Sequence, residues 1–91
     1  LKIIGLNFKE NQSRLFYTDY VYINKCIFES NGSIPNRTRY FLGLSTRDTV
    51  ENSIFRNNNG YIEVNGTESV IRKNKFLNKM IIIIVYEIIF E

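Results

Sequence analysis

Ile71-Arg72-Lys73-Asn74-Lys75-Phe76-Leu77-Asn78-Lys79 is a frame that the chain uses four times. The other copies are Ile3 to Asn11 (IIGLNFKEN), Ile23 to Asn31 (INKCIFESN) and Val50 to Asn58 (VENSIFRNN). In each, a β-branched aliphatic residue stands five positions before a Phe. In three of them an Asn stands three positions after it, and Lys79 takes that place in the fourth. The anchors Phe8, Phe28, Phe55 and Phe76 are spaced 20, 27 and 21 residues apart. A period of this size marks stacked supersecondary units.

A second register accompanies the first. Leu15, Ile62 and Ile83 come seven residues after their anchors, each followed two positions on by Tyr17, Val64 or Val85. Such alternation predicts half-buried strands. Leu42 and Leu44 form the matching pair in the second unit, seven residues late. The long unit therefore carries one insertion, between Asn31 and Phe41, with its strands still in frame.

Each unit reads as three short strands separated by bends. Tyr61–Val64, Ser69–Arg72 and Lys75–Leu77 give the clearest set, with Asn65-Gly66 as a turn signal. Ile, Val, Tyr, Phe and Thr dominate and favour strands. No helical apolar period persists over ten residues. The expected fold is all-β: a single-stranded parallel solenoid of about four coils of 20–27 residues. Inside it lie files of Ile3/Ile23/Val50/Ile71, of Phe8/Phe28/Phe55/Phe76 and of Leu15/Leu42/Ile62/Ile83. Asn11, Asn31 and Asn58 are expected to stack as a hydrogen-bonded ladder.

Composition narrows the function. Ninety-one residues make at most one small domain, which buries only about 60–65% of its unfolded surface. The chain opens at Leu1 inside a repeat and is expected to be residues 1–91 of a longer array. Twelve Lys and Arg against nine acids give a net charge of +3 with no basic run, so no nucleic-acid partner is expected. There is no His, which removes the commonest general base and metal ligand. The single Cys26 cannot form an internal disulfide and is expected to be a small buried residue. The apolar run Met80–Tyr86 is too short to span a bilayer, which needs roughly 20 residues.

The pattern I-x-x-x-x-F-x-x-N followed by G-x-I-x-V-x-G is met by Val50 to Asn58, then Gly60, Ile62, Val64 and Gly66. This resembles the right-handed parallel β-helix of pectate-lyase-like proteins. The tetrads FKEN, FESN and FRNN look like the FxxN repeat of polymorphic outer-membrane proteins, although the companion GGA-[ILV] motif is missing. The resemblance implies a secreted or cell-surface β-helix segment, with further coils in the same chain. The leucine-rich-repeat frame fits Ile3, Leu6, Phe8 and Asn11 but then decays. Its fourth position becomes Cys26, Ser53 and Asn74, and its final one Ser13, Ser33 and Gly60.

Candidate chemistry is sparse. Enzymes of the resembled fold cluster carboxylates and Arg on outward strand positions. The outward file read here, Phe16, Gly43, Glu63 and Ile84, holds one carboxylate and no Arg. Asp19 and Asp48 fall in equivalent turns, but two aspartates fall short of a calcium site. No cofactor or metal is expected. The insertion loop, residues 32–40, contains Pro35, Arg37, Arg39 and Tyr40. Arg37 and Arg39 suit bidentate capture of carboxylate or sulfate, and Tyr40 suits stacking on a sugar. Four N-x-S/T sequons occur, at Asn11, Asn31, Asn36 and Asn65. Asn11 and Asn31 double as ladder residues, which favours Asn36 and Asn65 as glycan acceptors. The expectation is a non-catalytic, extracellular or cell-surface segment contacting polysaccharide or a cell-surface glycan. The alternative is the non-catalytic portion of a polysaccharide lyase, glycoside hydrolase or epimerase.

Overall fold

β-branched and aromatic residues favour extended backbone, and the computed structural model of the chain is built of strands. It describes residues 1–11, 16–31, 40–78, 81–84 and 89–90. Among these lie thirteen short strands and no helix. They are β1 (Lys2–Ile4), β2 (Asn7–Lys9), β3 (Phe16–Thr18), β4 (Tyr22–Asn24), β5 (Ile27–Glu29), β6 (Tyr40–Leu44) and β7 (Thr49–Glu51). There follow β8 (Ile54–Arg56), β9 (Tyr61–Val64), β10 (Val70–Arg72), β11 (Lys75–Leu77), β12 (Ile81–Ile84) and β13 (Ile89–Phe90). Every pairing is parallel and joins a strand to the third one along. Three sheets result: β1-β4-β7-β10-β13, β11-β8-β5-β2 and β12-β9-β6-β3. We call them the first, second and third sheet. The chain visits them in rotation, and each round lays one layer on the last.

The repeated frame fixes two of the sheets. Ile3, Ile23, Val50 and Ile71 are level with one another in the first sheet. Phe8, Phe28, Phe55 and Phe76 are level in the second. Parallel strands lie about 4.8 Å apart, which is also a good stacking distance for aromatic rings. The rings accordingly stack, with centroid spacings of 5.0, 4.6 and 5.1 Å along the column. The middle layers close the core: Ile23, Phe28, Val50, Phe55, Leu42, Leu44, Ile62 and Val64 are all buried. Ile3, Phe8 and Phe76 pack against it half-buried.

The third sheet departs from the predicted register. Leu42 and Ile62 are level as expected, but their neighbours are Phe16 and Ile82, not Leu15 and Ile83. The physical reason is the length of the bend entering this sheet. Phe8 to Phe16 is eight residues, Phe55 to Ile62 seven and Phe76 to Ile82 six. A constant offset of seven therefore errs by one residue at both ends of the array, and one residue swaps the two faces of a strand. The predicted outward file is corrected accordingly: Gly43 and Glu63 are level with Tyr17 and Ile83, whereas Phe16 is level with Leu42 and Ile84 with Val64. In the long unit β6 has an irregular register between Tyr40 and Leu42. Phe41 falls at that bulge, and its ring tilts against Phe28 and Phe55 in the core.

The bends obey a rule the sequence hides. Among the described residues eleven have left-handed backbone, and they form three files. Gly5, Lys25, Asn52 and Lys73 leave the first sheet, Glu10, Ser30, Asn57 and Asn78 leave the second, and Tyr20, Arg47 and Glu68 precede the first. Each non-glycine residue there costs on the order of 1–2 kcal/mol. The next residue repays the corner with its side chain. Asn31 and Asn58 accept the backbone N–H of Asn11 and Asn31 at 3.1 and 2.9 Å, and donate to the carbonyls of Phe8 and Phe28 at 2.9 and 3.0 Å. At the other corners Asn74 accepts from Ser53 N–H, Ser53 from Cys26 N–H, Asp48 from Val21 N–H and Ser69 from Asp48 N–H. Asn31, Asp48, Ser53, Asn58 and Ser69 are thus buried polar residues that close backbone groups left open by the bends, as buried polar groups must. Cys26 is buried in the same file as Ser53 and Asn74.

Candidate functional site

The predicted loop falls mostly outside the described residues, Arg37 and Arg39 included. Its two stems are well defined. Asn31 is held on one side by Asn11 and on the other by Asn58. Tyr40 opens β6 level with Tyr61, and Phe41 follows it into the core.

Outward residues of the strands carry part of the described charge. In the first sheet Tyr22, Glu51 and Arg72 belong to three successive layers. The Tyr22 hydroxyl donates to Glu51 Oε1, and Arg72 Nε donates to Glu51 Oε2 at 2.5 Å. Glu51 is only 8% exposed, because these two side chains cover it. Its carboxyl is held below the usual range by the Tyr22 hydrogen bond first and the Arg72 hydrogen bond second. The same contact pushes the Tyr22 phenol upward, since ionising it would place two anions together. A carboxylate so committed is a clamp across layers, poorly suited to proton transfer.

In the second sheet Lys9, Glu29, Arg56 and Leu77 are level. Arg56 Nε meets Glu29 Oε2 at 2.7 Å. Beside this pair lies a shallow depression of about 170 Å³, lined by Asn7, Phe8, Lys9, Ile27, Glu29 and Arg56. At the third corner Arg47 lies over the Tyr20 ring at 5.9 Å and pairs with Glu68 at 2.6 Å. Glu68 raises the Arg47 guanidinium above its ordinary value.

The two aspartates each accept a backbone N–H of the Ser45–Thr46 turn. Asp19 accepts the N–H of Thr46 at 3.0 Å, and this bond, helped by Ser45, lowers its carboxyl. Asp48 is buried and accepts the N–H groups of Val21 and Ser45 at 2.8 and 2.7 Å. Both serve the corner. Among the described residues no group of three or more His, Cys, Asp or Glu is placed to hold a metal ion. No helix among them is long and apolar enough to cross a membrane.

Tyr22, Glu51, Arg72, Glu29 and Arg56 were missed by sequence reasoning. Aligning the frame would have found four of them: Glu51 and Arg72 each follow their aliphatic anchor by one, and Glu29 and Arg56 each follow their Phe by one. Comparison with known proteins finds no matching family, no similar curated protein and no similar solved structure.

Proposed function

We propose that the chain is a segment of a right-handed parallel β-helix that serves as a non-catalytic scaffold at a cell surface or in a secreted protein. The right-handed sense follows from the strong preference of parallel β-crossovers for that hand. One observation carries the scaffold reading. The buried corner side chains and two of the outer ion pairs, Arg56 with Glu29 and Arg72 with Glu51, join one layer to the next. These side chains thus serve to stack one layer on the next. On this reading further windings of the same chain cover the exposed Leu1, Ile4 and Leu6 of the first layer.

Such a scaffold presents loops, and loops on rigid supports carry recognition. The segment between Asn31 and Phe41 is the recognition element in this proposal. Arg37 and Arg39 grip carboxylate or sulfate groups of a polysaccharide or cell-surface glycan, and Tyr40 stacks on a sugar ring. A glycan array probed with the protein and with an Arg37→Ala/Arg39→Ala variant tests it. Binding to acidic glycans that disappears in the variant is the expected result. Equal binding by both proteins removes the loop from recognition.

A further inference from the structure

We propose that the outer face of the second sheet pairs with the same face of a second copy of the chain, the two stacks running in opposite directions. In each strand of this sheet the Phe turns toward the core and its two neighbours turn outward. The outward residues form two files. Asn7, Ile27, Ile54 and Lys75 are level in one, and Lys9, Glu29, Arg56 and Leu77 in the other.

This face is unlike a solvated one, which carries polar residues outward. Its two middle layers place Ile27 and Ile54 side by side, both half-buried. At one end stands Leu77, which is 47% exposed. At the other end lies the depression of about 170 Å³ between Asn7, Lys9, Ile27 and Glu29. Among the described residues the other exposed large apolar side chains are Leu1, Ile4 and Leu6 of the first layer, and Tyr20, which lies beneath Arg47.

A two-fold axis along the strands, passing between β5 and β8 at the middle of the sheet, matches the face to itself. It sets Ile27 of one copy against Ile54 of the other, and Glu29 against Arg56, each pair occurring twice. Lys75 comes opposite Asn7, and Leu77 comes opposite Lys9 at the mouth of the depression, where the lysine stem lies along the leucine. No like charges meet. An axis along the stack fails, because it sets Ile27 against Glu29 and Ile54 against Arg56. The Arg56–Glu29 bond within each copy engages Nε and Oε2, and the other guanidinium N–H groups and Oε1 meet the second copy. Two sheet faces pack about 10 Å apart with their side chains interdigitated. Such a self-matching contact closes at two copies. The face is four strands of three residues, smaller than a standard interface, so the pair is weak and reversible. It needs neither a glycan nor further windings.

Analytical ultracentrifugation of the full chain over a concentration series tests the pairing. The parent is expected to pass from monomer to dimer, and Leu77→Lys, which faces Lys9 of the second copy, to raise the dissociation constant on the order of tenfold or more. Glu29→Arg and Arg56→Glu each place like charges across the axis and are expected to stay monomeric alone. An equal mixture of the two is expected to pair again, because each then faces the opposite charge. Far-UV circular dichroism reports whether each variant folds. A charge variant that does not fold is set aside, and Leu77→Lys, at an exposed site, then decides alone. A parent that stays monomeric up to about 1 mM overturns the proposal, as does a dimer that Leu77→Lys leaves unchanged. A mixture of folded charge variants that remains monomeric overturns it too. Assemblies that grow past two copies also overturn it, since they report stacking of open ends.

Discussion

Phe28 and Phe55 lie face to face, with ring centroids 4.6 Å apart and planes 1° from parallel. Both rings are fully buried. Phe55 also touches Phe76 and Phe41, and Phe28 touches Phe8 and Phe41, so the two rings together are the centre of the aromatic column. Phe55→Ala is expected to cost about 3–5 kcal/mol, the range for a large buried aromatic. Phe76→Ala, at a half-buried position, is expected to cost roughly half as much by the same scale. Urea midpoints of the two variants check this, and equal losses would show that the column does not hold the layers together.

The Asn ladder makes a sharper demand. Asn58 Oδ1 receives two hydrogen bonds from Asn31, and Asn58 Nδ2 donates to Phe28 O. Asn58→Leu keeps the volume but strands a buried N–H and weakens a buried carbonyl. Each unsatisfied group costs about 1–3 kcal/mol, so a loss of roughly 3 kcal/mol is expected. Hydrogen exchange at the Asn31 amide should rise more than at amides of the third sheet. An unchanged Asn31 amide would refute the ladder's role.

Two glycines separate crowding from conformation. A Cβ on Gly66 would sit 2.2 Å from Ser45 O, and a Cβ on Gly5 would meet nothing within 4 Å. Gly5 has φ +70°, so Gly5→Ala carries only the left-handed penalty, on the order of 1–2 kcal/mol. Gly66→Ala must push two layers apart and is expected to lower the melting temperature well beyond Gly5→Ala. The reverse order of melting temperatures would contradict the close approach at Ser45.

Glu51 sets a pH dependence at the acid end. Its folded carboxyl is depressed, by Tyr22 first and Arg72 second. The stability it contributes is therefore present above the ordinary carboxylate value of 4.5 and is lost as pH falls through the lower folded value. Tyr22 acts at the other end. Its phenol is raised by Glu51, so its contribution is intact below 10.0 and is lost as pH rises through the higher folded value. Glu51→Gln should be less stable than the parent at neutral pH, with the gap closing on acidification. Tyr22→Phe should flatten the alkaline limb. Melting curves across pH that run parallel for parent and Glu51→Gln would exclude this clamp.

The frame from Ile71 to Phe76 was legible because its bend never changes length. The aliphatic anchor stands five positions before the Phe in all four copies, around Gly5, Lys25, Asn52 and Lys73. The all-β class and the parallel pairing followed from that constancy. The third sheet was half legible, since the bends before it vary and a fixed offset misplaced Phe16 and Ile82. The left-handed corners were legible only where they fall on Gly5, Asn52, Asn57 and Asn78. Lys25, Arg47, Glu68 and Tyr20 adopt a backbone that sequence assigns to Gly and Asn. They do so because the neighbouring layer supplies the compensating hydrogen bonds. Asp48 shows the same limit: its spacing places it in a turn equivalent to that of Asp19, and only the structure reveals that it accepts the Val21 and Ser45 N–H groups.

At three corners an asparagine reaches back along the chain. Asn31 grasps Phe8, Asn58 grasps Phe28 and Asn74 grasps Val50, each from the later layer to the earlier one. A nascent polypeptide leaving the ribosome amino end first would thus find, at every round, a finished template already waiting. Growth in the order of synthesis needs no distant partner, and the molecule acquires a built-in arrow of assembly.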